Sequence, residues 1–281
     1  MLNPIMLKNL CRTAIAEDVG AGDATTLSVI PKDLQITAHM VPRENCVCAG
    51  LPLAETLFAE LDPSISFEYG LREGERCVKG QIMATISGAA RSILTGERIA
   101  LNFVQRYCGI ATSAHKYVDA LGDSKTIILD TRKTTPGLRA LEKYAVRMGG
   151  GQNHRFGLYD RVMIKDNHRE LAKLTGPDSI QRAVQACRTR FPELEVEVEA
   201  DTLEEVAAAL EAKAEYILLD NMTNEQMSEA VVLTAKRAKL EASGGITLER
   251  IPSLARLGLD FISVGALTHS VPSIDIGLDV V

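Results

Sequence analysis

Six short apolar runs, separated by segments with helical periodicity, make up most of the second part of the sequence. The runs lie at 127–129, 162–164, 196–198, 216–219, 240–242 and 261–264. The segments between them with helical spacing are 138–148, 179–191, 203–212, 224–236 and 248–257. This alternation predicts an α/β fold in which crossover helices join the strands of a parallel sheet. Six strands are too few for a closed eight-stranded barrel, so an incomplete barrel or an open doubly wound sheet fits.

The first part of the sequence has a different pattern, which predicts a mixed α+β domain. Helices are expected at 5–16, 51–61 and 91–106, and strands at 35–41, 45–49, 66–69 and 81–87. We therefore divide the chain into an N-terminal domain at 1–110, an α/β domain at 111–270 and a tail at 271–281. The tail is expected to pack back on the N-terminal domain.

Composition and charge exclude several classes of protein. The 281 residues carry a formal net charge of -6, and only 4% of them are aromatic. A nucleic-acid-binding domain normally presents a basic patch and stacks bases on aromatic rings. The six cysteines have neither CxxC nor zinc-finger spacing. No signal-peptide pattern and no apolar run of about 18 residues is present, so we expect a cytoplasmic protein with no nucleic-acid or membrane partner.

The residues that follow the six predicted strands indicate where a site would form. Charged groups follow the first four strands, and small residues follow the last two. The charged groups are Asp130, Arg132, Lys133, Lys165, Asp166, Glu199 and Asp220, and the small residues are Ser243, Gly244, Gly245, Gly265 and Ala266. In α/β barrels the site lies at these strand ends, and phosphate commonly binds after the last two strands. Because no P-loop motif is present, backbone N–H groups would bind such a phosphate.

Three glutamates, Glu195, Glu197 and Glu199, alternate along the third predicted strand and would share one face of it. No basic residue stands between them, so we expect a cation or sugar hydroxyls to relieve their repulsion. Whether Glu197 or Glu199 faces a bound sugar stays open at this point.

Residues 130–169 form a basic stretch in an acidic chain, with nine basic and four acidic residues. Several arginines and lysines together favour a small substrate with more than one negative charge. His154 and Arg155 directly follow three glycines, Gly149 to Gly151, which allow the backbone to pass close to a ligand. The other basic residues of the stretch include three that we expect on solvated surfaces, namely Lys143, Arg161 and Arg169, and we expect Glu142 there too.

These motifs resemble those of quinolinate phosphoribosyltransferases. Residues 130–139 read DTRKTTPGLR, and residues 143–155 read KYAVRMGGGQNHR. The resemblance continues in order through IKDNH at 164–168, EVE at 197–199, LDN at 219–221, SGGI at 243–246 and SVGALTHS at 263–270. It also covers GDATT at 22–26 and LTGER at 94–98 in the first part. Cys108 and Ala24 are two small departures from the family pattern, and neither is a charged site residue.

The resemblance implies an N-terminal α/β sandwich and a C-terminal open barrel of seven strands. The strand missing from our count of six would lie at 112–121 or at the domain junction. It further implies decarboxylating transfer of phosphoribose to quinolinate, which gives nicotinate mononucleotide for NAD biosynthesis. Mg²⁺ is the implied cofactor beside the co-substrate phosphoribosyl pyrophosphate, with no organic prosthetic group. The implied assembly is a homodimer, or a higher oligomer, in which Arg98 completes the partner's site.

The family pattern also implies a role for each site residue. Lys133, Lys165, Glu199 and Asp220 would be catalytic, and Glu199 and Asp220 would also hold Mg²⁺, partly through the substrate. Substrate binding would involve Arg98, Arg132, Lys133, His154, Arg155, Lys165, Glu199, Asp220, Ser243, Gly244, Gly245, Gly265 and Ala266.

Three other functions are compatible with parts of the pattern. One is a phosphoribosyltransferase of the molybdenum-transport-associated group, against which the GGGQNHR stretch at 149–155 argues. A second is a Schiff-base lyase that uses Lys133 or Lys165 as its nucleophile, which would need an apolar pocket around the amine. The third is a barrel that binds a dicarboxylate without turning it over.

Overall fold

The computed structural model describes residues 2–281 and divides the chain into two compact units. Within the described residues, the first unit comprises 2–115, 135–150 and 267–281, and the second comprises 116–134 and 151–266. The elements up to residue 119 are α1 (Pro4–Asp18), α2 (Ala24–Val29), β1 (Gln35–Pro42), β2 (Cys46–Val47), α3 (Leu51–Leu61), β3 (Ser66–Tyr69), β4 (Arg76–Cys77), β5 (Ala84–Ala89) and α4 (Ala90–Asp119).

The elements after residue 119 alternate between strand and helix, as the sequence predicts. They are β6 (Ile127–Leu129), α5 (Arg139–Met148), β7 (Val162–Ile164), α6 (Asp166–Leu171), α7 (Ser179–Arg190), β8 (Val196–Ala200), α8 (Leu203–Glu211), β9 (Tyr216–Asp220), α9 (Asn224–Thr234), β10 (Lys239–Ser243), a 3-10 turn (Leu248–Arg250), α10 (Ile251–Leu254), β11 (Phe261–Ser263), α11 (Ala266–His269) and β12 (Ile276–Val280). None of the helices within residues 2–281 is both long and apolar enough to span a membrane.

The first unit is built on an antiparallel sheet with the strand order β12-β1-β5-β3. The C-terminal strand β12 pairs along β1, so the end of the chain adds an edge strand to this sheet. The core includes Met40, Leu57 and Ile86, whose side chains are fully buried. Helix α3 has Gly50 as its N-cap residue, which has φ +102° and offers no capping side chain. Glu73 caps the helix instead, because its carboxylate accepts from the N–H groups of Gly50 at 2.8 Å and Leu51 at 3.0 Å.

The second unit is built on a parallel sheet with the strand order β6-β11-β10-β9-β8-β7. Its central strands are buried on both faces and therefore read as continuous apolar runs, for example Ile217 to Leu219 on β9. Gln152 extends the sheet beyond β6 by a single parallel bridge to Leu129. The seventh strand expected from the resemblance is thus one bridged residue, and the location proposed for it at 112–121 is wrong, because α4 continues to Asp119.

One contact shows that this sheet curls into an incomplete barrel. In a flat sheet the Gln152 segment would be five strand spacings from β8, which is about 24 Å. However, the ring of His154, two residues after Gln152, lies with its Nε2 atom 3.3 Å from Oε2 of Glu197 on β8. The sheet therefore closes on itself until Gln152 and β7 approach each other, and the opening of the barrel lies between these two edges.

Element boundaries agree with the sequence predictions where polar residues end an apolar run, and differ where they do not. Helix α3 and strands β3, β6 and β7 begin and end at the predicted residues. Helix α4 runs 13 residues beyond its predicted end at Arg106, and the change of pattern near residue 110 falls inside it without breaking it. The predicted helix at 248–257 is shorter, because a 3-10 turn precedes the four-residue α10.

Candidate active site

The ends of β6 to β11 bring the charged residues of the second unit to one edge of the parallel sheet. Parallel strands share their direction, so the residues that follow them meet at the same edge. Asp130 follows β6, Lys165 follows β7, Asp220 ends β9 and Ser243 ends β10. The predicted strand-end residues of this unit are therefore neighbours in space rather than separate surface groups.

Asp130 holds the chain segment that carries His154 and Arg155. Its side chain is fully buried and accepts two hydrogen bonds from that segment. One comes from the side-chain amide of Asn153 at 2.6 Å, and the other comes from the backbone N–H of His154 at 2.9 Å. A buried carboxylate must be satisfied in this way, so Asp130 fixes the segment to the end of β6.

The ring of His154 is buried between two glutamates that approach from different strands. Its Nε2 atom lies 3.3 Å from Oε2 of Glu197 on β8 and 3.4 Å from Oε2 of Glu241 on β10. Both glutamates are fully buried, and the hydroxyl of Ser263 on β11 donates to Oε1 of Glu241 at 2.5 Å. This cluster of His154, Glu197 and Glu241 lies inside the barrel.

Two features of the surroundings of His154 act on its protonation in opposite directions. Burial disfavours the imidazolium, whereas the nearby carboxylates of Glu197 and Glu241 favour it and raise the pKa of the ring. The Nδ1 atom, however, accepts a hydrogen bond from the backbone N–H of Arg155 at 2.7 Å. The Nδ1 contact decides the matter, because two nitrogens that close have no room for a second hydrogen between them. His154 is therefore the neutral ring with its proton on Nε2.

Arg155 places its guanidinium in a half-buried position beside β7. Its Nη1 atom donates to the carbonyl oxygen of Arg161 at 3.1 Å, and its Nη2 atom lies 3.5 Å from Sδ of Met163. Burial, and next to it the charge of Arg132, lower the pKa of Arg155. Its Nε atom is buried and has no hydrogen-bond partner within residues 2–281. Two guanidinium groups this close, one of them incompletely satisfied, favour an anionic ligand between them.

The three alternating glutamates, Glu195 directly before β8 and Glu197 and Glu199 on it, pair with cations on either side of β7. Glu199 pairs with the ammonium of Lys165, and Glu197 lies 3.6 Å from a guanidinium nitrogen of Arg161. Arg161 also reaches Glu195 at 3.9 Å and lies 4.0 Å above the ring centre of Tyr216. The expected repulsion is thus relieved by residues that flank β7. Arg161 and Arg169 are not solvated surface groups, since 18% and 13% of their side chains are exposed.

The loop after β10 is shaped by two glycines with left-handed backbone conformations. Gly244 has φ +88° and Gly245 has φ +57°. A Cβ atom on Gly244 would lie 2.1 Å from Oδ1 of Asn221, which follows β9 and donates from its side-chain amide to Asp220 at 2.8 Å. This loop and Asp220 are therefore packed directly against each other, and only glycine fits at position 244.

Several carboxylates surround the end of β9. The pKa of Asp201 is raised by burial and by the charges of Glu205, Asp220 and Asp166, in that order. Asp220 itself is half-buried. Such mutual repulsion is reduced when a cation or a positively charged group of a substrate lies among the acids.

Other predicted residues belong to the first unit. Arg98 lies on α4 with an exposed side chain. Glu142 and Lys143 on α5 were expected on the surface, and this expectation is wrong, because both are buried. Arg106 of α4 pairs with Glu142 at 3.1 Å, and the hydroxyl of Thr135 also donates to it at 2.7 Å. Glu142 therefore ties α5 to α4, which explains why residues 135–150 belong to this unit.

Sequence reasoning did not identify Glu241 or the anchoring role of Asp130. Glu241 stands between Leu240 and Ala242 in an apolar run, and an acid at such a position has to be buried if the strand is central. That pattern could have identified it. Nothing in the sequence alone would have paired it with His154, which is 87 residues earlier in the chain.

Three features occur together in the second unit: an open barrel, two neighbouring guanidinium groups near its strand ends, and a glycine loop after β10. This combination is typical of α/β-barrel proteins that bind a polyanionic small molecule at the C-terminal ends of their strands. Models of the quinolinate phosphoribosyl transferase N-terminal domain and C-terminal domain match residues 23–108 and 110–279. The chain belongs to the quinolinate phosphoribosyltransferase family.

Individual relatives agree with this assignment along the whole chain. A probable nicotinate-nucleotide pyrophosphorylase (carboxylating) of Bacillus subtilis is 41% identical, over 99% of this chain and 95% of the relative. The enzyme of that name from Mycobacterium leprae is 44% identical, over 97% and 96% of the two chains. The solved nicotinate-nucleotide pyrophosphorylase of Francisella tularensis superimposes with a TM-score of 0.94, covers 100% of this chain and 98% of its own, and is 37% identical.

Replacement of Gly244 by alanine should destabilise the protein, because the new Cβ meets Asn221 and the backbone is in the left-handed region. We expect a loss of roughly 1–3 kcal/mol in the free energy of unfolding, measured by denaturant titration. The matched control is Gly245→Ala, since a Cβ at that position meets nothing within 4 Å. Equal losses for the two variants would show that the contact with Asn221 is unimportant.

Proposed function

We propose that this chain transfers the phosphoribosyl group of phosphoribosyl pyrophosphate to quinolinate with loss of carbon dioxide. The products are nicotinate mononucleotide and pyrophosphate. The observation that carries this proposal is the half-buried guanidinium of Arg155, whose pKa is lowered by burial and by Arg132 and whose Nε atom lacks a partner. An aromatic dicarboxylate supplies two anionic groups on a rigid plane, which suits two arginine forks side by side.

The carboxylates of quinolinate would be held by the basic residues at the ends of β6 and beyond Gln152. In this proposal Arg132 and Arg155 form the main clamp, with Lys133 beside them. His154, expected from the family pattern to bind substrate, lies behind the clamp instead, because both of its ring nitrogens face groups of the protein. The clamp orients the ring nitrogen of quinolinate toward C1 of the ribose, which is catalysis by positioning. Arg98 of the partner subunit would close the clamp in a homodimer, consistent with its exposed side chain.

The glycosyl transfer needs stabilisation of positive charge on the sugar. The nitrogen of quinolinate forms a bond to C1 while the bond from C1 to pyrophosphate breaks, and pyrophosphate leaves with the electron pair. C1 becomes positive in the transition state, so Glu199 and Asp220 would stabilise it and hold the ribose hydroxyls. Lys165, which pairs with Glu199, would orient that carboxylate and bind phosphate or carboxylate oxygens.

The 5′-phosphate would bind in the loops after β10 and β11. These strands are neighbours in the sheet, so Ser243 to Gly245 and Gly265 with Ala266 leave the same edge. The backbone of Gly244 and Gly245 has the left-handed conformation that turns N–H groups toward a bound anion.

Mg²⁺ fits the acids around β9. It keeps most of its waters and uses only one or two protein carboxylates together with substrate phosphates. Glu199 and Asp220 would provide these carboxylates. The pKa of Asp201 near them is raised by burial and, next to it, by the charges of Glu205, Asp220 and Asp166. When bound, Mg²⁺ would neutralise charge on the departing pyrophosphate.

The loss of carbon dioxide needs no organic cofactor in this proposal. After transfer the ring nitrogen is quaternary, so the ring is a cation. The bond from C2 to its carboxylate breaks, carbon dioxide leaves, and the electron pair stays at C2 beside the positive nitrogen. A proton then replaces the carboxylate at C2.

A Schiff-base lyase is disfavoured by the surroundings of both candidate lysines. Its nucleophile needs an apolar pocket. Lys133 is exposed, and Lys165 pairs with Glu199.

Truncation of Arg155 tests the clamp. In Arg155→Ala one carboxylate of quinolinate would be left unpaired. We therefore expect kcat/KM for quinolinate to fall, by an amount that corresponds to a loss of roughly 2–5 kcal/mol of transition-state stabilisation. Arg182→Ala is the matched control, because Arg182 pairs with the exposed Asp178, directly before its helix, and donates to the Thr175 carbonyl, away from the strand ends. Near-normal quinolinate kinetics in Arg155→Ala would exclude this clamp. Binding of quinolinate without any turnover in the unmodified protein would instead favour a binding protein.

Removal of the charge of Asp220 tests the role of the acids. Asp220→Asn should lower kcat by about 10²-fold or more, since it weakens stabilisation of charge in the transition state. Asp178→Asn, far along the chain on an exposed helix end, is the control. EDTA should abolish turnover of the unmodified enzyme, and added Mg²⁺ should restore it. Full activity in EDTA would remove Mg²⁺ from the proposal.

Mixed dimers test the contribution of Arg98. Arg98→Ala and Arg155→Ala should each be nearly inactive as homodimers. If Arg98 acts across the interface, a mixed dimer has one site that carries both changes and one site that carries neither. Random association should therefore restore about one quarter of the sites, measured as phosphoribosyltransferase activity after co-expression. No recovery of activity would place both residues in one subunit's site.

A further inference from the structure

Glu241 has no part in the chemistry of the proposed reaction, and yet it is a fully buried acid in the middle of the barrel. Burial of a carboxylate is costly unless its oxygens are hydrogen-bonded. One oxygen of Glu241 accepts from the hydroxyl of Ser263 at 2.5 Å, and the other lies 3.4 Å from Nε2 of His154. An apolar side chain at position 241 would be easier to bury, which raises the question of what the carboxylate does.

The spacing of the cluster would admit a metal ion, and the state of His154 argues against one. The nearest ligand atoms of His154, Glu197 and Glu241 all lie within 4.8 Å of one another. A histidine that binds a metal through Nε2 carries its proton on Nδ1 and donates it to a neighbour. Here Nδ1 accepts from the N–H of Arg155, so the proton lies on Nε2 and faces the two carboxylates. Arg161, 3.6 Å from Glu197, supplies a positive charge to the cluster.

We propose that Glu241 is a positioning residue that, together with Glu197, holds His154 in its Nε2–H form and thereby fixes Arg155 for binding of the quinolinate carboxylates. The link is direct, because the ring that meets Glu241 through Nε2 accepts the backbone N–H of Arg155 through Nδ1. A ring free to turn would release that N–H. The carboxylates thus act on Arg155 through the orientation of one imidazole, and this inference rests on the clamp proposed above.

Two variants of Glu241 separate positioning from mere structure. In Glu241→Gln the side chain keeps its size and an oxygen that accepts from Nε2–H, so KM for quinolinate should stay within about 3-fold of the unmodified enzyme. Glu241→Leu keeps a similar volume without an acceptor, and KM for quinolinate should rise about 10-fold or more as Arg155 loses its fixed place. Thermal stability should fall in Glu241→Leu, because the Ser263 hydroxyl loses its acceptor, so both KM values are measured well below the unfolding temperature of that variant.

The state of the ring provides a second readout. Nitrogen-15 NMR of the protein labelled in histidine, with His154→Gln to assign the signal, should show a neutral ring protonated on Nε2 in the unmodified protein and in Glu241→Gln. In Glu241→Leu this signature should be lost or averaged between tautomers. A doubly protonated ring, or stoichiometric bound metal detected by mass spectrometry that disappears in Glu241→Leu, would overturn the proposal.

The kinetic constants also distinguish failure of this inference from failure of the proposed function. Glu241 lies two residues before Ser243, so a distorted strand would raise KM for phosphoribosyl pyrophosphate as well. Equal rises in both KM values, or an unchanged KM for quinolinate in Glu241→Leu, would refute the positioning role. Neither result would change the kinetics of Arg155→Ala, and that variant alone decides whether the clamp exists.

Discussion

The contact between His154 and the two glutamates inside the barrel is the interaction on which the second unit depends. It joins the segment beyond Gln152 to β8 and β10, which are several strands away in the order of the sheet. Hydrogen bonding between strands forms the sheet but leaves its curvature open. Breaking a buried polar contact between distant strands costs free energy, because each partner would be left unsatisfied in an apolar interior. The same contact therefore closes the barrel and sets the place of Arg155.

Charge in this unit is arranged by burial. The acids Asp130, Glu197 and Glu241 are each fully buried. The cations Arg155, Arg161 and Lys165 are partly exposed, and the last two pair with glutamates of β8. A chain with a net charge of -6 therefore keeps several of its acids inside and leaves cations accessible. The internal acids balance the cations when no ligand is bound, which limits the repulsion between guanidinium groups.

The sequence predicted the repeating elements better than it predicted the contacts between them. Alternation of apolar runs and helical segments is a local property, so all six parallel strands were identified, and β6 and β7 to the residue. Burial of Glu142 and Lys143, and partial burial of Arg161, were not predicted, because they depend on partners that are distant in the sequence, such as Arg106 for Glu142. The candidate residues at strand ends followed from the rule that parallel strands share a direction. Burial of Glu241 was not predicted, because an acid within an apolar run indicates burial only when its strand is known to be central.

The carboxylates of quinolinate and the phosphate of the phosphoribosyl group would be recognised by different interactions. Carboxylates on a flat ring are bound best by arginines that donate two parallel hydrogen bonds in a fixed direction. The positions of the guanidinium groups in this chain depend on side-chain contacts, including the Nδ1 contact of His154. A phosphate ester needs only several N–H groups around it, and the chain supplies a loop whose shape is set by backbone conformation at Gly244 and by the lack of space beside Asn221. In the proposed reaction, specificity between dicarboxylates would therefore depend on the clamp and the buried cluster behind it. Recognition of the phosphoribosyl group would depend on the geometry of the loop after β10, which requires glycine at position 244.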